Sequence, residues 1–526
     1  MQSHFLLLAA SLLVTLTIYH LIKAARWFFL GSGTPIKLRG PPNPSFLFGN
    51  LKETWFSASL LHCRVVVYTA TDRIVTMDAK AIQHIMRNEH IYGKPQGDLR
   101  ILKLILGEGN NEIVSRNHAT YRERINPAFA ANRIRELTGT FFEKSFELRD
   151  IWAAKITAAS GVGRIDSVDW LSKTTLDVIG LTGFNYHFNA LNDTGKVNEL
   201  NKAFSAISGS SDMTSVWIPL QAQLPKAIIP LLMAVSSMKS SAEIMQRTGK
   251  ELLVESKAYL AGTGEKNDNW GARDLLSLLL KSNMSTDIPE DERMSDADVI
   301  AQVPTFLIAG HETTSVSTTW ALFSLSRHQE IQTKLREELL SVPTEKPSMD
   351  VLNELFYLDA FVRETLRLYT PLTNIARTAL QDDILPLAHP IIDSDGVIHD
   401  SLPVRKGQPL IIAVLGVNTD RLLWGSDAYE FKPDRWLKVP DNVDTIPGVW
   451  SNLMTFWGGS RACIGWRFSI IEMKALLFTL VRNFEFELAV PVEEIILHRV
   501  ASMQRPSLSS DYSRAKLPLL IKPLKT

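Results

Sequence analysis

The sequence predicts a mainly α-helical body with small β-sheets, built as a single large domain behind an N-terminal transmembrane helix. Three observations carry that expectation. Helical spacing of apolar residues dominates residues 51–526, with no repeat and no long linker. Strand-like runs are few and short: Arg64–Met77, Pro409–Val417 and Leu517–Leu524. An uncharged apolar stretch, Phe5–Ile22, stands near the N-terminus. The 526 residues hold 56 Lys+Arg against 56 Asp+Glu, with 45% apolar and 21% charged residues. That balance excludes a disordered chain and offers no basic excess for a nucleic-acid partner.

The eighteen residues of Phe5–Ile22 are long enough to span a bilayer core. Lys23 and Arg26 follow the stretch and no Lys or Arg precedes it, which places residue 23 onward in the cytosol. A cleaved signal peptide needs a basic start and a small-residue cleavage site; here Trp27, Phe28 and Phe29 follow instead. Residues 1–30 are therefore expected to be an uncleaved anchor. Residues 31–50 carry Pro41, Pro42 and Pro44 and are expected to form a stiff hinge. Residues 51–526 are the expected cytosolic body.

Within the body, Glu330–Leu340 and Leu352–Leu368 read as amphipathic helices. A much longer helix is expected over about 296–327. Ser295 with Asp298 has the pattern of a capping box, and Val299–Ser315 is apolar nearly all round, so this helix should be buried and bent at Pro304. Ala309-Gly310-His311-Glu312-Thr313-Thr314 stands at its centre, where a glutamate and hydroxyls need a reason to be buried.

Cys63 and Cys463 are the two cysteines, which excludes a disulfide framework and a cysteine-only zinc cluster. Cys463 lies in Phe456-Trp457-Gly458-Gly459-Ser460-Arg461-Ala462-Cys463-Ile464-Gly465, ahead of an apolar helix expected over Trp466–Leu480. Glycines let the backbone approach a large flat group, and a helix N-terminus with a nearby arginine favours a thiolate. Such a thiolate serves as a nucleophile or as a metal ligand.

This stretch resembles the heme-binding loop F-x-x-G-x-R-x-C-x-G of the cytochrome P450 monooxygenases. Three more motifs match in the family's order: Ala309–Thr314 (A-G-x-E-T-T), Glu364-Thr365-Leu366-Arg367 (E-x-x-R) and Pro433-Asp434-Arg435-Trp436 (P-x-R-x). The resemblance covers roughly residue 35 to the end, and the wording looks most like microsomal fungal members. It implies that Cys463 is the axial thiolate of a heme b. Arg122, Arg377, Arg461 and His118 are then candidates to hold the propionates, with Phe456, Gly459 and Gly465 shaping the cofactor site. Thr313 would donate a hydrogen bond to bound dioxygen and Glu312 would relay protons. Glu364, Arg367 and Arg435 would form a structural triad, and His311 would pack rather than bind iron.

The resemblance also implies insertion of one oxygen atom into a lipophilic molecule, by hydroxylation or epoxidation. Electrons would come from NADPH through a separate reductase, with cytochrome b5 as a further donor. Arg461, Arg467 and Lys474 are candidates for the docking face. The expected setting is the endoplasmic reticulum membrane, crossed once, with the body in the cytosol. Apolar segments such as Trp217–Met238 suit contact with lipid and a lipophilic substrate, and the fungal resemblance implies a terpenoid-like secondary metabolite. Two other readings stand beside this one: a heme-thiolate isomerase or dehydratase that uses no dioxygen, and an inactive heme-binding paralogue. Two departures from the family pattern bear on packing. Trp457 stands where a small residue is usual, and residues 50–78 are shorter than the family norm.

Overall fold

The computed structural model describes Ile36, Leu38 and residues 63–67, 71–99, 122, 125–159, 161–192, 237–262, 274–283, 293–500 and 502–524. The expected anchor, and the Trp217–Met238 segment up to residue 236, lie outside the described residues. Among the described residues, no helix is long and apolar enough to cross a membrane.

In chain order the strands are β1 (Cys63–Val67), β2 (Thr71–Thr76), β3 (Tyr92–Gly93), β4 (Gly163–Asp166), β5 (Ile375–Ala379) and β6 (Asp383–Ile392). They continue with β7 (Ile398–Val404), β8 (Pro409–Ile412), β9 (Phe484–Leu488), β10 (Ile495–Val500), β11 (Met503–Leu508) and β12 (Pro518–Pro523). The longer helices are α1 (Ala79–Arg87), α2 (Ala131–Ala158), α3 (Ser167–Phe184), α4 (Ser237–Leu260) and α5 (Leu275–Asn283). They continue with α6 (Asp296–Arg327), α7 (Gln329–Leu340), α8 (Phe356–Leu368) and α9 (Trp466–Asn483). The fold is mainly helical with small sheets, as the sequence predicts.

The chain divides into two compact units, one from Met1–Pro95 with Asn374–Val417 and one from Gln96–Thr373 with Asn418–Thr526. The first unit holds a five-stranded sheet of order β1-β2-β8-β5-β3, in which β2 and β8 are parallel. The single strand-like run expected over Arg64–Met77 is two strands, β1 and β2, paired antiparallel. Asp78 caps α1 by accepting from the Ala81 N–H at 2.9 Å. The same carboxylate accepts from the Ala388 N–H at 2.9 Å, so one side chain fixes both the helix start and the β6–β7 hairpin.

The second unit is helical, with a three-stranded sheet (β4-β12-β9) and the β10–β11 hairpin. Helix α6 starts where the sequence places it. The Asp298 N–H donates to the Ser295 hydroxyl at 3.2 Å, and the Ser295 N–H donates to the Asp298 carboxylate at 3.1 Å. Its many hydroxyls are accommodated in the interior because they donate to carbonyls four residues back: Thr305 to Ala301, Thr318 to Thr314 and Thr319 to Ser315, at 2.8, 2.9 and 2.8 Å. The single helix expected over Leu352–Leu368 is two, Met349–Glu354 and α8, broken where Leu355 leaves helical backbone at ψ 99°. Strand β8 is also shorter than Pro409–Val417, because a helical turn takes over at Val414.

A buried charge cluster ties α8 to the chain that leads into the cysteine loop. Glu364 and Arg367 are wholly buried and pair through two bonds of 2.8 and 2.9 Å. Arg435, on the short turn Pro433–Leu437, reaches Glu364 at 3.4 Å and Asp427 at 2.6 Å. The Lys432 N–H and the Trp436 indole N–H complete the carboxylate's shell at 2.9 and 3.1 Å. Arg367 also donates to the carbonyls of Asn418 and Glu430, at 3.0 and 3.1 Å. Glu364→Ala would leave two buried guanidiniums without their shared counter-charge. The expected loss is about 3–5 kcal/mol of stability, measured by urea denaturation followed through tryptophan fluorescence. A loss within the range of an exposed pair would show that the cluster does not hold the fold.

Candidate active site

In the second unit a cavity with about 920 Å³ of atom-free space, part of it open solvent, separates the cysteine loop from α6. Cys463 and Phe456 line one side, Ala309, Gly310 and Thr313 the other. The remaining walls are largely apolar, with Phe129, Phe306 and Leu366 among them. The rings of Phe129 and Phe306 meet edge to face at 5.5 Å. Gly310 lies close to α3: a Cβ there would lie 2.9 Å from the Ile179 Cδ1, so the end of the Ile179 side chain would have to shift.

The cysteine loop is held from behind. The Asn418 side chain accepts from the Met454 N–H at 2.9 Å and donates to the Thr455 hydroxyl at 2.9 Å. The Thr455 hydroxyl in turn donates to the Leu366 carbonyl of α8 at 2.8 Å. The loop closes on itself where the Cys463 N–H donates to the Phe456 carbonyl at 2.8 Å. Between them Trp457 adopts φ 60° and ψ −165°, a backbone region that is almost exclusive to glycine, and Gly459 adopts φ 65°. Trp457 is kept there by burial of its ring and by backbone bonds to the Met454 carbonyl and from the Val449 N–H, both 2.9 Å. The bulky residue that departs from the family pattern thus occupies the loop's most constrained position.

Cys463 is open to the cavity on one side and enclosed by protein on the others. Burial pushes its thiol up, while the Gly465 N–H and the Arg122 guanidinium pull it down. Arg122 donates to the Ala462 carbonyl, so it stands beside the thiol. Arg461 is half-buried on the turn Gly459–Arg461, and Gly465 is the residue from which α9 starts. Arg377 lies in the other unit, on β5, where it donates to the Ala376 carbonyl at 2.8 Å. His118 lies outside the described residues.

On α6, the Thr313 hydroxyl donates to the Ala309 carbonyl at 2.7 Å and lines the cavity. Glu312 forms an ion pair with Arg505 of β11. His311 turns toward α3, where its Nε2 meets the Ser172 hydroxyl at 2.7 Å. Burial, and then the charge of Arg505, push its imidazole down to about 4, so it is neutral at pH 7. It packs, as expected.

Four residues that build this site went unmarked in the sequence: Asn418, Thr455, Arg505 and Glu472. Glu472 is a fully buried carboxyl on α9 whose two oxygens have no hydrogen-bond partner. The polar group acting on it is the hydroxyl of Thr314, a cavity-lining residue. One expectation is corrected. Lys474 is buried and committed to Asp359 at 2.8 Å and Asn353 at 3.0 Å, so it belongs to the packing of α9 and not to a docking face.

A cavity with one open thiol on one wall and small residues on the wall opposite is what the sequence motifs imply. The model of the cytochrome P450 family matches residues 61–509. The chain belongs to the cytochrome P450 family. It is 48% identical to cytochrome P450 monooxygenase 205 of Postia placenta, over 93% of this chain and 92% of that one. It is 46% identical to monooxygenase 128 of the same fungus, over 97% and 96%. It is 31% identical to a ganoderic acid synthetase of Ganoderma lucidum, over 93% and 94%. Membership makes this chain a monooxygenase of that family and implies a heme cofactor and a redox partner.

Burial holds the proton of Glu472 well above the usual carboxylate range, more tightly in the folded chain than in the unfolded one. The stability this contributes is complete below the unfolded value, about 4.3, and is lost as pH rises toward the folded value. Glu472→Gln removes that slope. The variant should gain stability over the parent between pH 5 and pH 8, by urea denaturation at both. An equal difference at the two pH values would show that the carboxyl is not held neutral.

Proposed function

We propose that this cytochrome P450 is a membrane-anchored heme-thiolate monooxygenase that inserts one oxygen atom from dioxygen into a lipophilic, terpenoid-like molecule in fungal secondary metabolism. The observation that carries the reading is Cys463 opening onto an apolar cavity opposite Ala309, Gly310 and Thr313. The donor set fits heme. Among the described residues no group of three or more His, Cys, Asp or Glu side chains could hold a metal. A lone thiolate suits a metal whose other ligands arrive with it, and apolar walls suit a large apolar macrocycle.

Bound through Cys463, heme supplies dioxygen activation, which electron donation from the thiolate favours. The chain's own residues do the rest. The Gly465 N–H and Arg122 favour the thiolate form of Cys463. Ala309 and Gly310 leave room on the α6 side. The Thr313 hydroxyl, by rotating from the Ala309 carbonyl, donates a hydrogen bond into the cavity. Glu312 brings protons inward once its carboxylate leaves Arg505. Arg122 and Arg461, with Arg377 and His118, neutralise the propionates, while Phe456, Gly459 and Gly465 shape the cofactor site. The apolar walls, with Phe129, Phe306 and Leu366, favour a lipophilic substrate over a charged one. The name of the Ganoderma relative, a ganoderic acid synthetase, supports a biosynthetic role.

We further infer that residues 1–30 anchor the protein in the endoplasmic reticulum membrane, that residues 31–50 form the hinge, and that residues 51–526 face the cytosol. Electrons come from NADPH through a separate reductase, with cytochrome b5 as a further donor. Deleting residues 1–30 should move the protein from the membrane fraction toward the soluble fraction; unchanged sedimentation with membranes would refute the anchor.

The deciding experiment is the absorption spectrum of the reduced protein with carbon monoxide. The red-shifted Soret band of thiolate ligation is expected, and its loss in Cys463→Ser. Heme bound without that band in the parent would overturn the assignment. Thr313→Ala should keep the band and divert electrons to peroxide, lowering product per NADPH several-fold. Normal coupling in that variant would refute the role of Thr313.

A further inference from the structure

Trp320 and Tyr369 form a stacked pair behind the wall of the cavity. Trp320 is on α6, about one helical turn past the cavity-lining Ser317. Tyr369 follows α8, between the cavity-lining residues Leu366 and Pro371. The two rings lie parallel to within 8°, with centroids 4.7 Å apart. The indole N–H donates to the Gln504 carbonyl of β11 at 3.2 Å, and the Gln504 N–H donates to the Pro371 carbonyl at 3.0 Å. Pair and wall are therefore tied together through one residue. Trp320 is buried and Tyr369 is partly exposed, so the stack leads from the interior toward the surface.

Indole and phenol give up an electron more readily than most side chains, and the charges around each ring decide which does so. Trp170, Trp424, Trp436, Trp450 and Trp466 each carry a lysine or arginine over the ring, within 5.8 Å of its centre. A cation there opposes loss of an electron from the ring. The ring stacked on Trp320 is a phenol instead. Burial pushes the Tyr369 hydroxyl up, against the pull of Arg327, so it keeps its proton at pH 7 and loses it only together with an electron. Phe323 closes the pair edge-on, 5.3 Å from Trp320 and 6.0 Å from Tyr369, and a phenyl ring is much harder to oxidise. An electron taken from Trp320 is therefore replaced from Tyr369.

We propose that Trp320 and Tyr369 are an electron conduit between the heme site and the surface, through which a small enediol reductant removes hydrogen peroxide that reacts at the heme without substrate. This rests on Cys463 holding heme in the cavity. Reduction of hydrogen peroxide to two waters takes two electrons and two protons, and the pair serves it in two passes. In each pass Trp320 yields one electron and Tyr369 refills the indole. The phenolic proton leaves to water at the exposed edge of Tyr369, while one proton enters from solvent at the peroxide oxygen. The enediol then returns a hydrogen atom to Tyr369. In sum, one peroxide and one enediol give two waters and one vicinal diketone.

The experiment mixes the heme-loaded protein with hydrogen peroxide, with no substrate present, in four forms: parent, Tyr369→Phe, Trp320→Phe and the double variant. The carbon monoxide band of each is recorded first. Electron paramagnetic resonance of rapidly frozen samples should show a tyrosyl radical in the parent and an indole radical in Tyr369→Phe, with a several-fold weaker signal in Trp320→Phe and the double variant. Ascorbate, an enediol, should slow the loss of the Soret band several-fold in the parent and lose that effect in the three variants. A parent radical that is unchanged in both single variants, or protection by ascorbate that is equal in all four forms, overturns the proposal. Tyr369→Phe removes one oxygen and keeps the stack, so its change of signal from tyrosyl to indole decides the matter should Trp320→Phe fail to take up heme. A parent without the thiolate band refutes the heme-thiolate reading and the conduit with it. A parent with that band and no radical on this pair refutes the conduit alone.

Discussion

Glu364 is a buried carboxylate shared by two guanidiniums, one of which has Asp427 as a second counter-charge, and the course of the chain around the active site follows from that sharing. Arg367 meets it within α8 and Arg435 from a turn some seventy residues later. Neither arginine can leave without exposing the other charges to an apolar surrounding, so the turn that carries Arg435 is fixed against α8. Arg367 spends its remaining donors on the carbonyls of Asn418, Ala428 and Glu430, which ties the chain at these residues to α8. Asn418, positioned in this way, holds Met454 and Thr455, and the cysteine loop begins one residue later. The thiol is therefore placed by a relay that starts with a carboxylate far from any chemistry.

The opposite wall obeys a different constraint. Helix α6 must run buried while carrying hydroxyls, a histidine and a glutamate. Backbone carbonyls absorb most of the hydroxyls, and Ser172 on α3 absorbs the histidine. Beside it, Gly310 faces the Ile179 side chain of the same helix, whose Cδ1 would lie 2.9 Å from a Cβ there. Packing and polar satisfaction thus meet at neighbouring residues, and the missing side chain leaves room in the cavity.

Local signals were legible in the sequence, and partnerships between distant segments were not. The α6 capping box lies within four residues, and the structure has the box and the helix where they were expected. The cysteine loop is equally local, and Cys463 does open onto a cavity. By contrast Glu312 and Arg505 are 193 positions apart, and nothing in the spacing of either marks the other. Lys474 read as a surface cation because its neighbours say nothing of Asp359, which reaches it from α8. Strand β9 went unseen because its pairing with β12 is set by a tertiary contact, and the local β10–β11 hairpin because its sequences alternate weakly. Trp457 was legible as unusual, but only backbone geometry shows that it takes a conformation glycine normally supplies.

The charges left around the cavity explain why the Glu312–Arg505 pair matters to the whole site. His311 is neutral, and Glu472 keeps its proton, so neither helix wall adds net charge from these two groups. The hydroxyls of Thr305, Thr313 and Ser317 are engaged with carbonyls four residues back, and they conduct protons only by giving up those bonds. Glu312 differs because its partner is another side chain, carried on a strand that also grips the cavity wall. A helix carbonyl cannot move without breaking the helix, whereas a side chain on a hairpin can.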